Sequence, residues 1–253
     1  VPQGRDLGVS ARERTAGVVV IGNEILSGKV ADTNSPFLAT ELRKLGVALR
    51  RIETIPDELD DIGRTVRSFH ESYDFVFTSG GVGPTHDDVT IEGIALGMGR
   101  KVIRHPDLEA GIRTFVQGEL NAAHLKMAEV PEGAELLADE SLRFPTIRLE
   151  NIYILPGIPE ILRRKFASMR ALFASAPYYL RVIYSSYSES MIADSLNQTV
   201  SEFPELLLGS YPKMGDPEYM VKLTMESKDD AYVQRAFDRL LFLLPAGSVV
   251  RTE

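Results

Sequence analysis

The sequence predicts an α/β protein with a mostly parallel sheet, followed by a smaller α+β domain. Three observations carry that prediction. From Ala16 onward, short β-branched runs alternate with amphipathic stretches, the pattern of parallel strands joined through covering helices. A glycine-rich segment, Thr78-Ser79-Gly80-Gly81-Val82-Gly83, follows directly on an apolar run, as loops at the strand ends of such sheets do. Beyond a linker at 174–180 the order becomes strand, helix, strand, strand, helix, strand. The expected domains are therefore 15–174 and 175–253.

Residues 16–22 form the first predicted strand. Asn34, Ser35 and Pro36 read as a helix N-cap with a first-turn proline, Leu38, Leu42 and Leu45 share one face, and Gly46 ends the helix. Residues 47–54 are the second strand. Asp57 reads as the cap of a helix over 57–72 that buries Leu59, Ile62, Val66 and Phe69. Residues 73–79 make the third strand, 90–98 and 106–118 read as helices, and a strand at 151–159 leads through a proline-bounded turn into a helix at 159–173. The stretch 121–148, with its LRFPTIRL segment, reads as a short hairpin excursion. In the second domain, Ile192, Leu196, Thr199 and Phe203 share one helical face, as do Val233, Phe237, Leu240 and Leu244.

Composition removes several function classes. The 253 residues are 44% hydrophobic and 25% charged, which excludes disordered and collagen-like chains. Cysteine is absent, so there is no disulfide scaffold, thiolate metal site or cysteine nucleophile. The net charge of −8 argues against a broad surface for nucleic acid. No run approaches the roughly 18 apolar residues of a membrane span, and the start lacks the apolar core of a signal peptide. A cytoplasmic protein is expected, and residues 1–14 receive no function.

The densest chemical signal is Thr78 to Thr90. Gly80, Gly81 and Gly83 allow positive φ and close approach of bare N–H groups to an anion, so a phosphate cradle is the natural reading, with Thr78, Ser79 and Thr85 around it. Asp87 and Asp88 would repel that anion unless a divalent cation such as Mg²⁺, Mn²⁺ or Co²⁺ stood between them; Asp88 could instead cap the helix that follows. Glu24, after the first strand, and Asp32 and Asn34, before the first helix, fall at the same sheet edge, as does Asp57. The P-loop, HExxH, GxSxG and GxGxxG patterns are all absent. The four histidines lack metal-ligand spacing, and His86 reads as a solvent-facing loop residue. Arg163-Arg164-Lys165 and the pair Arg143 and Arg148 read as solvated basic faces.

Several segments in order carry a resemblance: IGNEILSGKVADTNSPFLATELRKLGV, the PDE at 56–58, TSGGVGPTHDDVTIEGIA, KMAEVPEGAELL and YILPGIPEILRR. Together they resemble the MoaB/Mog-like molybdopterin-binding domain, in the form found in CinA-like proteins and in FAD synthase. Residues from about 175 resemble the KH-like second domain of CinA-like proteins more loosely. The resemblance implies that Gly80, Gly81 and Gly83, with Thr78 and Ser79, hold phosphate or pyrophosphate, and that Asp57 and Asp88 match the acidic residues of Mog-type adenylyltransferases. Asp87 stands where those proteins carry arginine, which disfavours molybdopterin adenylylation.

For the CinA-like subgroup the resemblance implies divalent-metal-dependent hydrolysis of a nucleotide pyrophosphate, of the ADP-ribose or FAD type, releasing AMP. In that scheme Asp88 holds the metal with Asp87 beside it, the loop amides stabilise developing charge, and either Asp57 or Glu24 orients water. Molybdopterin binding or adenylylation in molybdenum cofactor biosynthesis is the alternative, and a non-enzymatic binding module a second one. The expected ligand is a nucleotide or pterin, and relatives imply a homo-oligomer, dimer or trimer. RNA-gripping KH domains use a GxxG loop that residues 175–253 lack, so nucleic acid is not an expected partner.

Overall fold

The computed structural model describes residues 12–253 except 115, 117, 139–141, 143 and 216; Arg143 of the basic pair, and most of residues 1–14, thus lie outside the described residues. The run TAGVVVI forms strand β1 (Thr15–Ile21), whose alternate side chains enter two different cores. It is followed by a one-turn helix, α1 (Asn23–Leu26), then α2 (Asn34–Lys44), β2 (Ala48–Ile55), α3 (Leu59–Ser72) and β3 (Phe75–Ser79). Next come α4 (Thr90–Gly97), β4 (Val102–Arg104), α5 (Pro106–Arg113), α6 (Ala122–Lys126), β5 (Glu129–Pro131), β6 (Glu135–Leu137), β7 (Thr146–Leu149), β8 (Ile152–Leu155) and α7 (Pro159–Met169).

The main sheet has the order β2-β1-β3-β8-β7-β6. Strands β2, β1, β3 and β8 are parallel, and β7 and β6 are added antiparallel. Val18, Val20, Phe75 and Phe77 pack with Leu38 and Leu42 of α2 and Leu162 and Phe166 of α7. Val19, Ile21 and Val76 pack on the other face with Ile62, Val66 and Phe69 of α3 and Ile91 and Ile94 of α4. The result is three layers, and burial on both faces explains why β1 and β3 are nearly continuous apolar runs.

The expected hairpin excursion is only partly one. Strands β4 and β5 do pair antiparallel, and with α5 and α6 they enclose a small core of Leu108, Ile112, Ala128 and Val130. Strands β6 and β7 instead extend the main sheet, because Ile147 and Leu149 can bury against the core around β8. Leu59 lies at the exposed start of α3 rather than on its buried face. Lys165 is buried, unlike its basic neighbours in sequence, and donates to the carbonyls of Phe144 and Pro145.

The chain divides into two compact units between Ser175 and Ala176. The second contains β9 (Tyr179–Ser185), α8 (Glu189–Glu202), β10 (Leu207–Pro212), β11 (Val221–Ser227), α9 (Asp230–Leu243) and β12 (Val249–Thr252). Its antiparallel sheet has the order β10-β11-β9-β12. This β-α-β-β-α-β connectivity is that of the ferredoxin-like split βαβ. Ile183, Leu223 and Met225 form its core with Ile192 of α8 and Val233, Phe237 and Leu240 of α9.

Candidate functional site

Parallel strands present their carboxyl ends together, and here the loops after β1, β2, β3 and β8 meet at one edge. Backbone bonds stitch them there: Gly22 N donates to Ile55 O at 3.2 Å, and Gly80 N to Leu155 O at 3.2 Å. Gly80 and Gly81 both have positive φ, 110° and 62°. A Cβ at Gly80 would stand 2.0 Å from Ile21 O, and one at Gly81 would stand 2.3 Å from Thr90 Oγ1, so side chains are excluded at both positions. Thr90, wholly buried at the start of α4, fixes this turn: its N donates to Gly81 O at 3.0 Å and its Oγ1 to Gly80 O at 2.9 Å. The N–H groups of Gly81, Val82 and Gly83 have no acceptor among the described residues, which leaves three consecutive donors for an anion.

The acidic residues divide between cavities. Asp87 lines a cleft of about 570 Å³ with Asn23, Glu24, Ser27, Lys29 and Asp57. The Thr85 side chain, the Asp87 backbone, and the charges of His86 and Lys126 hold the Asp87 carboxyl below the usual carboxylate range. Asp88 lines a different, smaller cavity with Gly81, Gly83, Glu92 and Lys126. Its Oδ2 accepts from Thr85 N at 2.8 Å and from the Thr85 hydroxyl. Asp87 and Asp88, expected to hold a metal together, thus line different cavities while both contact the Thr85 side chain. Asp88 does not cap α4 either. His86 is 98% exposed beside Asp87.

Roles also exchange around α2. Asn34 was expected to cap it; instead Asp32 Oδ1 accepts from Asn34 N at 2.9 Å and Ser35 N at 3.0 Å. That releases the buried Asn34 side chain, whose Nδ2 donates to Ser79 Oγ at 2.9 Å and to Gly157 O at 2.8 Å, joining the β1, β3 and β8 loops. Its Oδ1 is buried and unpartnered, as is Thr78 Oγ1 among the described residues. Asn34 lines a cavity of about 90 Å³ with Glu24, Asp32, Ser79, Gly80 and Gly157. Asp57 does not cap α3; its Oδ2 accepts from Asn23 N at 2.7 Å and so anchors α1. Glu24 folds over Gly22, where a Cβ would meet either carboxylate oxygen at 2.7 Å, and lines both the cleft and the Asn34 cavity.

Sequence reasoning missed four contributors: Thr90, Lys29, Gly157 and Lys126. Thr90 closes the quoted glycine segment and Gly157 sits in LPGIP, so both were within sight. Lys126 comes from α6, 41 positions beyond Thr85, and donates to Thr85 O at 2.8 Å. Only the fold brings it to the loop.

Residues 17–172 match the family model described as a probable molybdopterin binding domain. The chain belongs to that family. Residues 177–253 match a second model, the middle domain of FAD synthase. A protein of Archaeoglobus fulgidus is 34% identical over 227 residues, which are 88% of this chain and 96% of that protein. A probable FAD synthase of Caenorhabditis elegans is 32% identical over 94% of this chain but 51% of its own length. The chain thus spans about half of that relative. The crystal structure of CinA from Thermoplasma acidophilum, whose function is described as unknown, is 32% identical with a TM-score of 0.59, covering 64% of this chain and 99% of that one. The molybdopterin-binding domain family therefore supplies the fold of the first unit, and the site described above lies wholly within it.

Proposed function

We propose that this protein hydrolyses the pyrophosphate bond of a nucleotide of the ADP-ribose or FAD type, releasing AMP. The observation that carries this reading is the glycine loop with three unpartnered amides beside a cleft that Asp87, Glu24 and Asp57 line together. Amide donors suit a phosphate, and carboxylates suit a divalent cation that travels with it. Among the described residues no three acidic or histidine side chains make a complete metal cage. That fits a Mg²⁺-type ion, which is commonly held by one or two carboxylates together with substrate phosphates. Asp87 is the residue that would hold it together with the substrate phosphates; it would supply charge neutralisation on those phosphates.

The residues divide the remaining work. Asp57 is occupied with the Asn23 amide, so it positions α1 and the Glu24 that α1 carries. Glu24, the more available carboxylate, takes a proton from water as that water attacks one phosphorus. The bridging oxygen leaves with the other phosphate, and charge gathering there is met by the Gly81–Gly83 amides. The similarity to FAD synthases supports a nucleotide ligand and an enzyme.

The test is chromatographic. Purified protein is incubated with ADP-ribose or FAD and Mg²⁺, Mn²⁺ or Co²⁺, with EDTA as control. Metal-dependent AMP release that falls about a hundredfold or more in Glu24→Gln is the expected result; no release with any metal overturns the hydrolase reading. A second reading, molybdopterin binding, draws on the unpartnered Asn34 Oδ1, which asks for an N–H or O–H donor such as a pterin amine. Binding of molybdopterin in preference to ADP-ribose would favour it.

A further inference from the structure

The loop from Thr78 to Thr90 contains no lysine or arginine, so it offers a phosphate no permanently positive side chain of its own. The structure places one there from elsewhere. Lys126 leaves α6 and sets Nζ 2.8 Å from Thr85 O, lining the same cavity as Gly81, Gly83 and Asp88. Its side chain is 24% exposed. The bond it donates goes to a neutral carbonyl, and the Glu92 carboxylate lies 3.6 Å away, beyond a direct hydrogen bond. An ammonium has three donors, so two remain for an incoming anion. Glu92 is itself incompletely matched, since its Oε2 is buried without a partner.

We infer that Lys126 is the phosphate-binding cation of this site, seating a ligand phosphate together with the amides of Gly81, Val82 and Gly83, and that Glu92 competes with that phosphate for its charge. The inference rests on the reading that a phosphate-bearing ligand occupies the glycine loop. It narrows the substrate class, because Lys126 and Asp87 line different cavities beside the same loop. One phosphate on Lys126 and the amides, and a second reached through a cation at Asp87, favour a diphosphate over a monophosphate.

The experiment is calorimetric titration of the full chain with ADP and with AMP, once with Mg²⁺ and once in EDTA. Wild-type protein is expected to bind ADP more tightly than AMP. Lys126→Gln should weaken ADP binding by about tenfold or more, the worth of one hydrogen bond to a charged group. Lys126→Arg should stay within a few-fold of wild type, and the slope of affinity against salt should be shallower in Lys126→Gln. Glu92→Gln should tighten ADP binding, because it removes the competing charge. A lysine that merely braced Thr85 would leave Glu92→Gln neutral, and that result overturns the assignment. So does wild-type ADP affinity in Lys126→Gln. If wild type binds neither nucleotide with or without Mg²⁺, the phosphate reading of the loop fails; if wild type binds ADP and Lys126→Gln binds it equally well, the lysine assignment alone fails.

Discussion

Asp87 and Asp88 are neighbours that line different cavities, and substitution separates them. Asp87 lines the cleft and is bonded only within its own exposed loop, so Asp87→Asn should lower metal-dependent AMP release by about tenfold or more while the melting temperature stays near wild type. Asp88 holds the 85–88 turn through two bonds from Thr85. Asp88→Asn should cost roughly 0.5–1.5 kcal/mol in urea unfolding, with a smaller loss of turnover. Equal effects of the two substitutions would contradict the division drawn here.

Lys165 offers a pH test of burial. Desolvation lowers its pKa from 10.5 to about 8, while in the unfolded chain it returns to its ordinary value. Between those values the unfolded chain binds more protons, so this group makes stability rise with pH. Its penalty is fully present below about 8 and gone above 10.5. Relative to Lys165→Met, which cannot titrate, wild type should gain up to about 3 kcal/mol between pH 7 and 10.5 in urea unfolding. Parallel stability curves for the two proteins would show that Lys165 keeps an ordinary pKa when folded.

At the scale of elements, α3 and α4 meet through glycine. A Cβ at Gly97 would lie 2.2 Å from Gly63 O, and one at Gly93 would lie 2.6 Å from Ile62. Gly97→Ala must push the helices apart, at an expected cost of about 1–3 kcal/mol. Because α4 begins at Thr90, which clamps Gly80 and Gly81, the same change should weaken ADP binding more than an equally destabilising core substitution such as Leu240→Ala in the second unit. Equal weakening by both would argue that α4 does not set the loop.

At the scale of the whole molecule, the two units have separate cores, and every site residue lies in the first. A fragment ending at Ser175 should fold and bind ADP with the affinity of the full chain. A large loss of affinity in a folded fragment would show that the second unit contributes to the ligand site. Among the described residues no helix is long and apolar enough to cross a membrane, consistent with two cores that each bury their own apolar faces.

The amino-acid sequence by itself determined the layered α/β architecture, because periodicity is local: Val18 to Ile21 alternate between two cores, and Leu38 and Leu42 recur at helical spacing. It also marked the glycine loop, since the requirement for Gly80 and Gly81 is written in the residues themselves. It left open which polar side chain does which task. Asp32 and not Asn34 caps α2, Asp57 anchors α1 and not α3, Asp87 and Asp88 part company, and Lys126 arrives from 41 residues away. Those outcomes belong to tertiary structure because a polar group takes the partner that space brings within about 3 Å, and loops from four strands decide that space together.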